Sequence, residues 1–119
     1  MKKVDNIKIT ISSTINKALK TIDSGRMQIA LVVDEKDKLL ATLTDGDIRR
    51  GLLKGFDLNS SIENINFKIP TIAKISDTKK DILKLALSKN LHQIPIVDEN
   101  GKVLGMYEIE ELIKPKKKK

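Results

Sequence analysis

The stretch Ile94-Pro95-Ile96-Val97-Asp98-Glu99-Asn100-Gly101-Lys102-Val103-Leu104 restates, 64 positions on, Ala30-Leu31-Val32-Val33-Asp34-Glu35-Lys36-Asp37-Lys38-Leu39-Leu40. Each copy runs from apolar residues through a polar turn and back to apolar residues. Working outward, the match holds without a gap: Leu19-Lys20 falls on Leu83-Lys84, and Ile11-Ser12-x-Thr14 falls on Ile75-Ser76-x-Thr78. Between residues 9–48 and 73–112, 11 of 40 positions are identical. A repeat decides architecture before any local signal does, and two copies mean a tandem pair rather than a solenoid.

Both copies read as strand, helix, strand, strand, helix. Short strands at residues 8–11 and 72–75 end in polar clusters. Thr14 and Thr78 then open helices whose apolar residues recur at helical spacing: Ile15, Ala18, Leu19 and Ile22, then Ile82, Leu83, Leu85 and Ala86. Gly25 and Asn90 suit the C-caps. Residues 29–33 and 94–97 read as strands buried on both faces, and Pro95 suggests that the second of these lies at an edge or a strand start. Turns at 34–37 and 98–101 lead to strands 39–43 and 103–107. Helices at 45–53 and 109–113 close the copies. The expected organisation is a first repeat at 1–55, a linker at 56–69 with one helical turn, a second repeat at 70–113 and a basic tail at 114–119. A unit of about 50 residues buries too little surface to be secure alone. The fold class is therefore α/β (α+β), with the two repeats expected to pack sheet to sheet about a pseudo-two-fold axis.

Composition removes several functions. The 119 residues include no Cys and one His, which leaves no thiolate nucleophile, no Cys zinc site and no multi-His metal site. No apolar run reaches the ~20 residues that span a bilayer, and the start carries no signal-peptide pattern. A cytoplasmic setting is expected, with no membrane partner. The net charge of +7 equals the seven lysines at Lys2, Lys3, Lys114 and 116–119, so residues 4–113 are neutral. With the charge on ragged ends and only three aromatics, a nucleic-acid partner is not expected.

The stretch Leu39-Leu40-Ala41-Thr42-Leu43-Thr44-Asp45-Gly46-Asp47-Ile48, closing a β-α-β-β-α repeat, resembles the cystathionine β-synthase (CBS) domain. Two copies in tandem resemble a CBS pair, or Bateman module. More narrowly, Thr44-Asp45-Gly46-Asp47-Ile48-Arg49-Arg50-Gly51-Leu52-Leu53-Lys54-Gly55 resembles the first repeat of pairs that precede a sugar-phosphate nucleotidyltransferase domain. The basic 113–119 stretch is similar to the junction into such a domain. The resemblance implies an adenine-nucleotide ligand (AMP, ADP or ATP), no catalytic residue and no catalytic cofactor, and an apolar slot for adenine at Ile29 and Ala30.

The residues of the motif suit that ligand. Thr44 precedes a helix, so its hydroxyl and the first backbone N–H groups can meet phosphate oxygens. Asp47 can accept hydrogen bonds from both ribose hydroxyls. Asp45 and Gly46 lie between them; Gly46 allows close approach, and Arg49 and Arg50 can add phosphate contacts. The same Thr-x-x-Asp spacing is also a capping box that stabilises a helix with no ligand, and both readings stand at this point. In the second copy, Glu108 and Glu111 replace Thr and Asp; these carboxylates repel phosphate, so one nucleotide per chain is the ceiling. His92 reads as a partly buried loop residue, Met27 and Met106 as core fillers. Asp45-Gly46-Asp47 lacks the rest of a calcium loop.

The expected function is a regulatory, non-catalytic module excised from a nucleotidyltransferase. The alternative is a ligand-free dimerisation or interaction module. The resemblance implies a homodimer either way, associating through helices, and the apolar helix faces of Ile48, Leu52, Leu53, Leu112 and Ile113 suit it.

Overall fold

The computed structural model describes residues 1–65 and 69–113; the 114–119 tail and part of the linker lie outside the described residues. The expected order appears twice. The first run is β1 (Lys8–Thr10), α1 (Ile15–Ser24), β2 (Ile29–Val33), β3 (Leu39–Thr44) and α2 (Asp45–Leu53). The second is β4 (Ala73–Lys74), α3 (Lys79–Ser88), β5 (Gln93–Val97), β6 (Val103–Glu108) and α4 (Ile109–Ile113). Each run makes one three-stranded sheet, β1-β2-β3 or β4-β5-β6, in which the first pair is parallel and the second antiparallel.

The repeat reaches down to single hydrogen bonds. Ile29 pairs with Thr44 and Gln93 with Glu108, and a bulge interrupts each ladder at Val32/Val33 and Ile96/Val97. Asp34 Oδ1 accepts the N–H groups of Lys36 and Lys38 at 2.8 and 3.0 Å; Asp98 Oδ1 accepts those of Asn100 and Lys102 at the same distances. Aspartate side chains that close their own turn in this way are a strong turn signal. The Lys38 backbone bond outweighs the little burial there is and holds the Asp34 carboxyl below its ordinary range.

Threonines cap three helices as expected: Thr14, Thr44 and Thr78 accept the N–H of Lys17, Asp47 and Asp81. Gly25 caps α1 with an ordinary right-handed φ of −81°. Glycine is needed there for room, because a Cβ would run into the side chain of Ile7. In α3 the cap is Lys89, and Asn90 follows it in the left-handed region at φ 57°.

Contacts divide the chain into two compact units, Val4–Pro70 and Met1–Lys3 with Thr71–Lys119. The first unit buries Ile15, Leu43 and Ile48 together with Ile62 and Ile65 from beyond α2. The segment after α2 is therefore part of that core. Its backbone is tied in as well, with Ile15 N–H donating to Ser60, Asn16 to Leu58 and Ile62 to Ser13. In the second unit Ala73, Ile82, Ile94 and Ile96 form a smaller cluster against Leu85, Tyr107 and Leu112. Met106 is fully buried, as a core filler should be.

Besides the Asn90 cap, three expectations need correction. His92 is exposed. Ile48 is buried at 1% exposure, so it cannot belong to an outer helix face; Leu52, Leu53 and Ile113 are the exposed members. Pro95 sits in the middle of a central strand, opposite Met106. Met106 spends its own N–H and C=O on Lys2, at 3.0 and 2.7 Å. The missing N–H of Pro95 therefore faces away from β6, towards β4, which pairs only with Ile96 and Val97. No ladder bond is lost, so the position tolerates proline as an edge would.

Candidate functional site

β3 delivers Thr44 to the start of α2, and the cap geometry places Asp47 over the same turn. Asp47 Oδ2 accepts two bonds from Thr44, from the backbone N–H at 2.9 Å and the hydroxyl at 3.0 Å. The hydroxyl in turn accepts Asp47 N–H at 3.3 Å. This is a complete capping box. The other oxygen, Oδ1, takes the Arg50 guanidinium at 2.7 Å, an (i, i+3) pair on the helix surface. Gly46 leaves the turn bare: the nearest atom to a Cβ there would be Arg50 Nη1 at 3.5 Å.

Ile29 and Ala30 lie alongside, as the ladder partners of Thr44 and Leu43. Ile29 keeps 8% exposure, whereas Ala30 is wholly inside the first core. Asp45 and Arg49 are exposed. Arg50 and Asp47 face a cavity of about 220 Å³ that sequence reasoning did not anticipate. Lys54, Phe56 and Asn64 complete its rim, with Ile65 and Gly51 beneath. The spacing of Asp47, Arg50, Gly51 and Lys54 already put them on one helix face. The return of Asn64 and Ile65 to that face depends on the long-range pairing after α2. A larger groove, about 480 Å³, lies at the other end of β2 beside Thr10, Ser12 and Lys38. Its charges are mixed, and Asp34 there is committed to its turn.

The second repeat puts a different set of partners at the equivalent turn. Glu111 Oε1 accepts the N–H of Glu108 at 2.9 Å, the backbone half of a capping box. Its Oε2 meets the Met1 amino group at 3.3 Å, and Lys2 Nζ lies 3.5 Å from Glu108. The backbone of Lys2 forms an antiparallel bridge with Met106. Of the three carboxylates in the acidic turn, Glu108 and Glu111 are thus paired with the first two residues, and Glu110 is exposed. Burial pushes the Glu111 carboxyl up, but the Glu108 N–H and the Met1 ammonium outweigh it and hold it below the usual range. Gly105 makes the approach possible, since a Cβ there would lie 2.9 Å from Lys2 O and 2.7 Å from Met1 Cγ.

Among the described residues, no group of three or more His, Cys, Asp or Glu could hold a metal ion. No helix among them is long and apolar enough to cross a membrane.

The family model of the CBS domain matches residues 1–54 and again 62–116. The chain belongs to the CBS domain family. Two CBS domains in tandem account for both sheets and for the recurring turn. An uncharacterized protein of Helicobacter pylori (strain 26695) is 28% identical over 106 residues, which are 88% of this chain and 32% of that protein. Arabinose 5-phosphate isomerase GutQ of Escherichia coli K12 is 22% identical over 103 residues, 87% of this chain and 32% of the isomerase. This CBS pair therefore spans about a third of the length of these curated relatives. Among solved structures, the CBS domain protein PAE2072 from Pyrobaculum aerophilum, complexed with AMP, superposes with a TM-score of 0.76. Coverage is 92% of this chain and 84% of that one at 18% identity, a likeness of fold.

Proposed function

We propose that this CBS pair is a regulatory module that binds one adenine nucleotide, AMP, ADP or ATP, at the 44–47 turn of the first repeat. The observation that carries this reading is the setting of Asp47. Among the described residues its Oδ1 is held only by an exposed guanidinium, and it opens beside a cavity rimmed by a second cation, Lys54. A carboxylate next to two cations matches a ligand with vicinal hydroxyls at one end and phosphate at the other. Ile29, next to Thr44, offers an apolar edge for the base. An AMP complex of a protein with the same fold supports the ligand class.

The Thr44 hydroxyl is engaged in the cap, so Arg50 and Lys54 are the better phosphate partners. Glu108 and Glu111 are paired with Lys2 and Met1 respectively, which keeps the ceiling at one nucleotide per chain. The ligand regulates only by binding two arrangements of the protein unequally. We place the module in a cytoplasmic homodimer, attached to an enzyme of sugar phosphates. The resemblance of residues 44–55 favours a nucleotidyltransferase, and the match to a third of GutQ supports the sugar-phosphate class.

A second reading has its own observation. Both Asp47 oxygens and the Thr44 hydroxyl are satisfied inside the turn, as a helix cap requires, so the pair could serve dimerisation alone. Titration of the purified chain with AMP, ADP and ATP, followed by melting temperature, separates the two. A ligand at a hundredfold its Kd stabilises by about 2.7 kcal/mol. No rise with any of the three assigns the chain to the interaction class.

A further inference from the structure

We propose that Arg50 is a displaceable latch on Asp47 and the residue through which the site distinguishes a nucleotide from a nucleoside. The inference rests on the nucleotide reading above and adds how charge is recognised. Asp47 divides its two oxygens. Oδ2 is locked by two bonds from Thr44, which no ligand can take without opening the helix cap. Among the described residues Oδ1 is held by Arg50 alone, through a side chain that is 62% exposed. A pair of hydroxyls arriving at Asp47 therefore competes with the guanidinium, not with the cap.

Displacement does not strand the guanidinium. It already lies over the bare backbone of Gly46, with Nη1 3.5 Å and Nη2 3.8 Å from where a side chain would begin. On its other side is the cavity that it shares with Lys54, one helical turn on. Phosphate bound in that space receives Arg50 in a two-pronged contact and Lys54 as a point charge. A nucleoside breaks the Asp47–Arg50 pair and supplies no replacement, whereas a nucleotide exchanges one anion for another. The latch thus sets the neutral ligand at a disadvantage and gives the charged one a second cation.

Calorimetry on the full chain at low salt, with adenosine, AMP and ATP as probes, tests this on wild type and Arg50→Gln. An exposed ion pair is weak, so its removal should tighten adenosine by about twofold to fivefold. Loss of a charge-assisted contact should weaken AMP and ATP by about tenfold or more. In wild type, raising the salt should favour adenosine while it weakens AMP, because both the latch and the phosphate contact are screened. Opposite responses of nucleoside and nucleotide establish the latch. Equal weakening of all three ligands makes Arg50 a support of the helix and overturns it, as does no change in any. If wild type binds neither adenosine nor a nucleotide, the nucleotide reading itself fails and the latch with it. If wild type binds AMP and Arg50→Gln binds it as well, only the latch fails.

Discussion

One oxygen of Asp47 closes the cap on α2 and the other holds Arg50, so a single substitution tests stability and binding together. Asp47→Ala removes half of the capping box and the charge that complements the helix N-terminus, which should lower stability by about 1 kcal/mol. A protein that loses so little remains folded for assay. Nucleotide affinity should fall at least tenfold, because each charge-assisted bond to ribose contributes roughly 1.5–3 kcal/mol. Glu111→Ala, at the matching position of the second repeat, should leave nucleotide affinity unchanged. Calorimetry on both variants checks the contrast. Equal affinity in Asp47→Ala and wild type would reduce the turn to a helix cap.

At the scale of elements, the two repeats share their ladders but differ at the outer side of β6, where Lys2 adds a bridge. Gly105 is the residue that admits it. Gly105→Ala would place a methyl against Lys2 O and the Met1 side chain, and overpacking of this kind typically costs about 1–3 kcal/mol. Faster hydrogen exchange at Met106 N–H, with the β2–β3 amides unchanged, is the expected signature. The same clip responds to acid. The Glu111 carboxyl is held low in the native state, so it binds fewer protons there than in the unfolded chain. Its contribution is complete above the unfolded value of about 4.3 and is lost as pH falls through the lowered native one. Amide exchange at Met106 should therefore rise as the pH drops below about 4, beyond the ordinary pH dependence of exchange itself. Glu111→Gln should abolish that excess.

At the scale of the whole molecule, the proposed homodimer would draw on apolar surface that neither core uses. Leu53 is 80% exposed and Ile113 54%, on the two repeat-closing helices α2 and α4. We expect these faces to meet a second copy in an isologous interface. Sedimentation at micromolar concentration should show a dimer, and Leu53→Glu should shift it to the 13.3 kDa monomer. A monomeric wild type would remove the dimer from the proposal.

The order of elements, the turns and the caps were legible because they depend on neighbours in the chain. Hydrophobic period, an aspartate that closes its own turn and a threonine at the start of α1, α2 and α3 act within a few residues, and the 64-residue repeat stated all but the Thr44 cap twice. The spacing of Thr44 and Asp47 belongs to the same class. It was ambiguous between cap and site because one geometry serves both. Tertiary structure decided where distant segments meet. Pro95 fits a central strand only because β4 is two residues long and Lys2 claims Met106. Ile48 left the outer face because it packs into the first core, which Ile62 and Ile65 join from beyond α2. The cavity beside Arg50 exists because Asn64 and Phe56 come back to α2, a contact that no periodicity encodes. Local patterns carry the energy of turns and helices, whereas these closures depend on the shape left between elements after they pack.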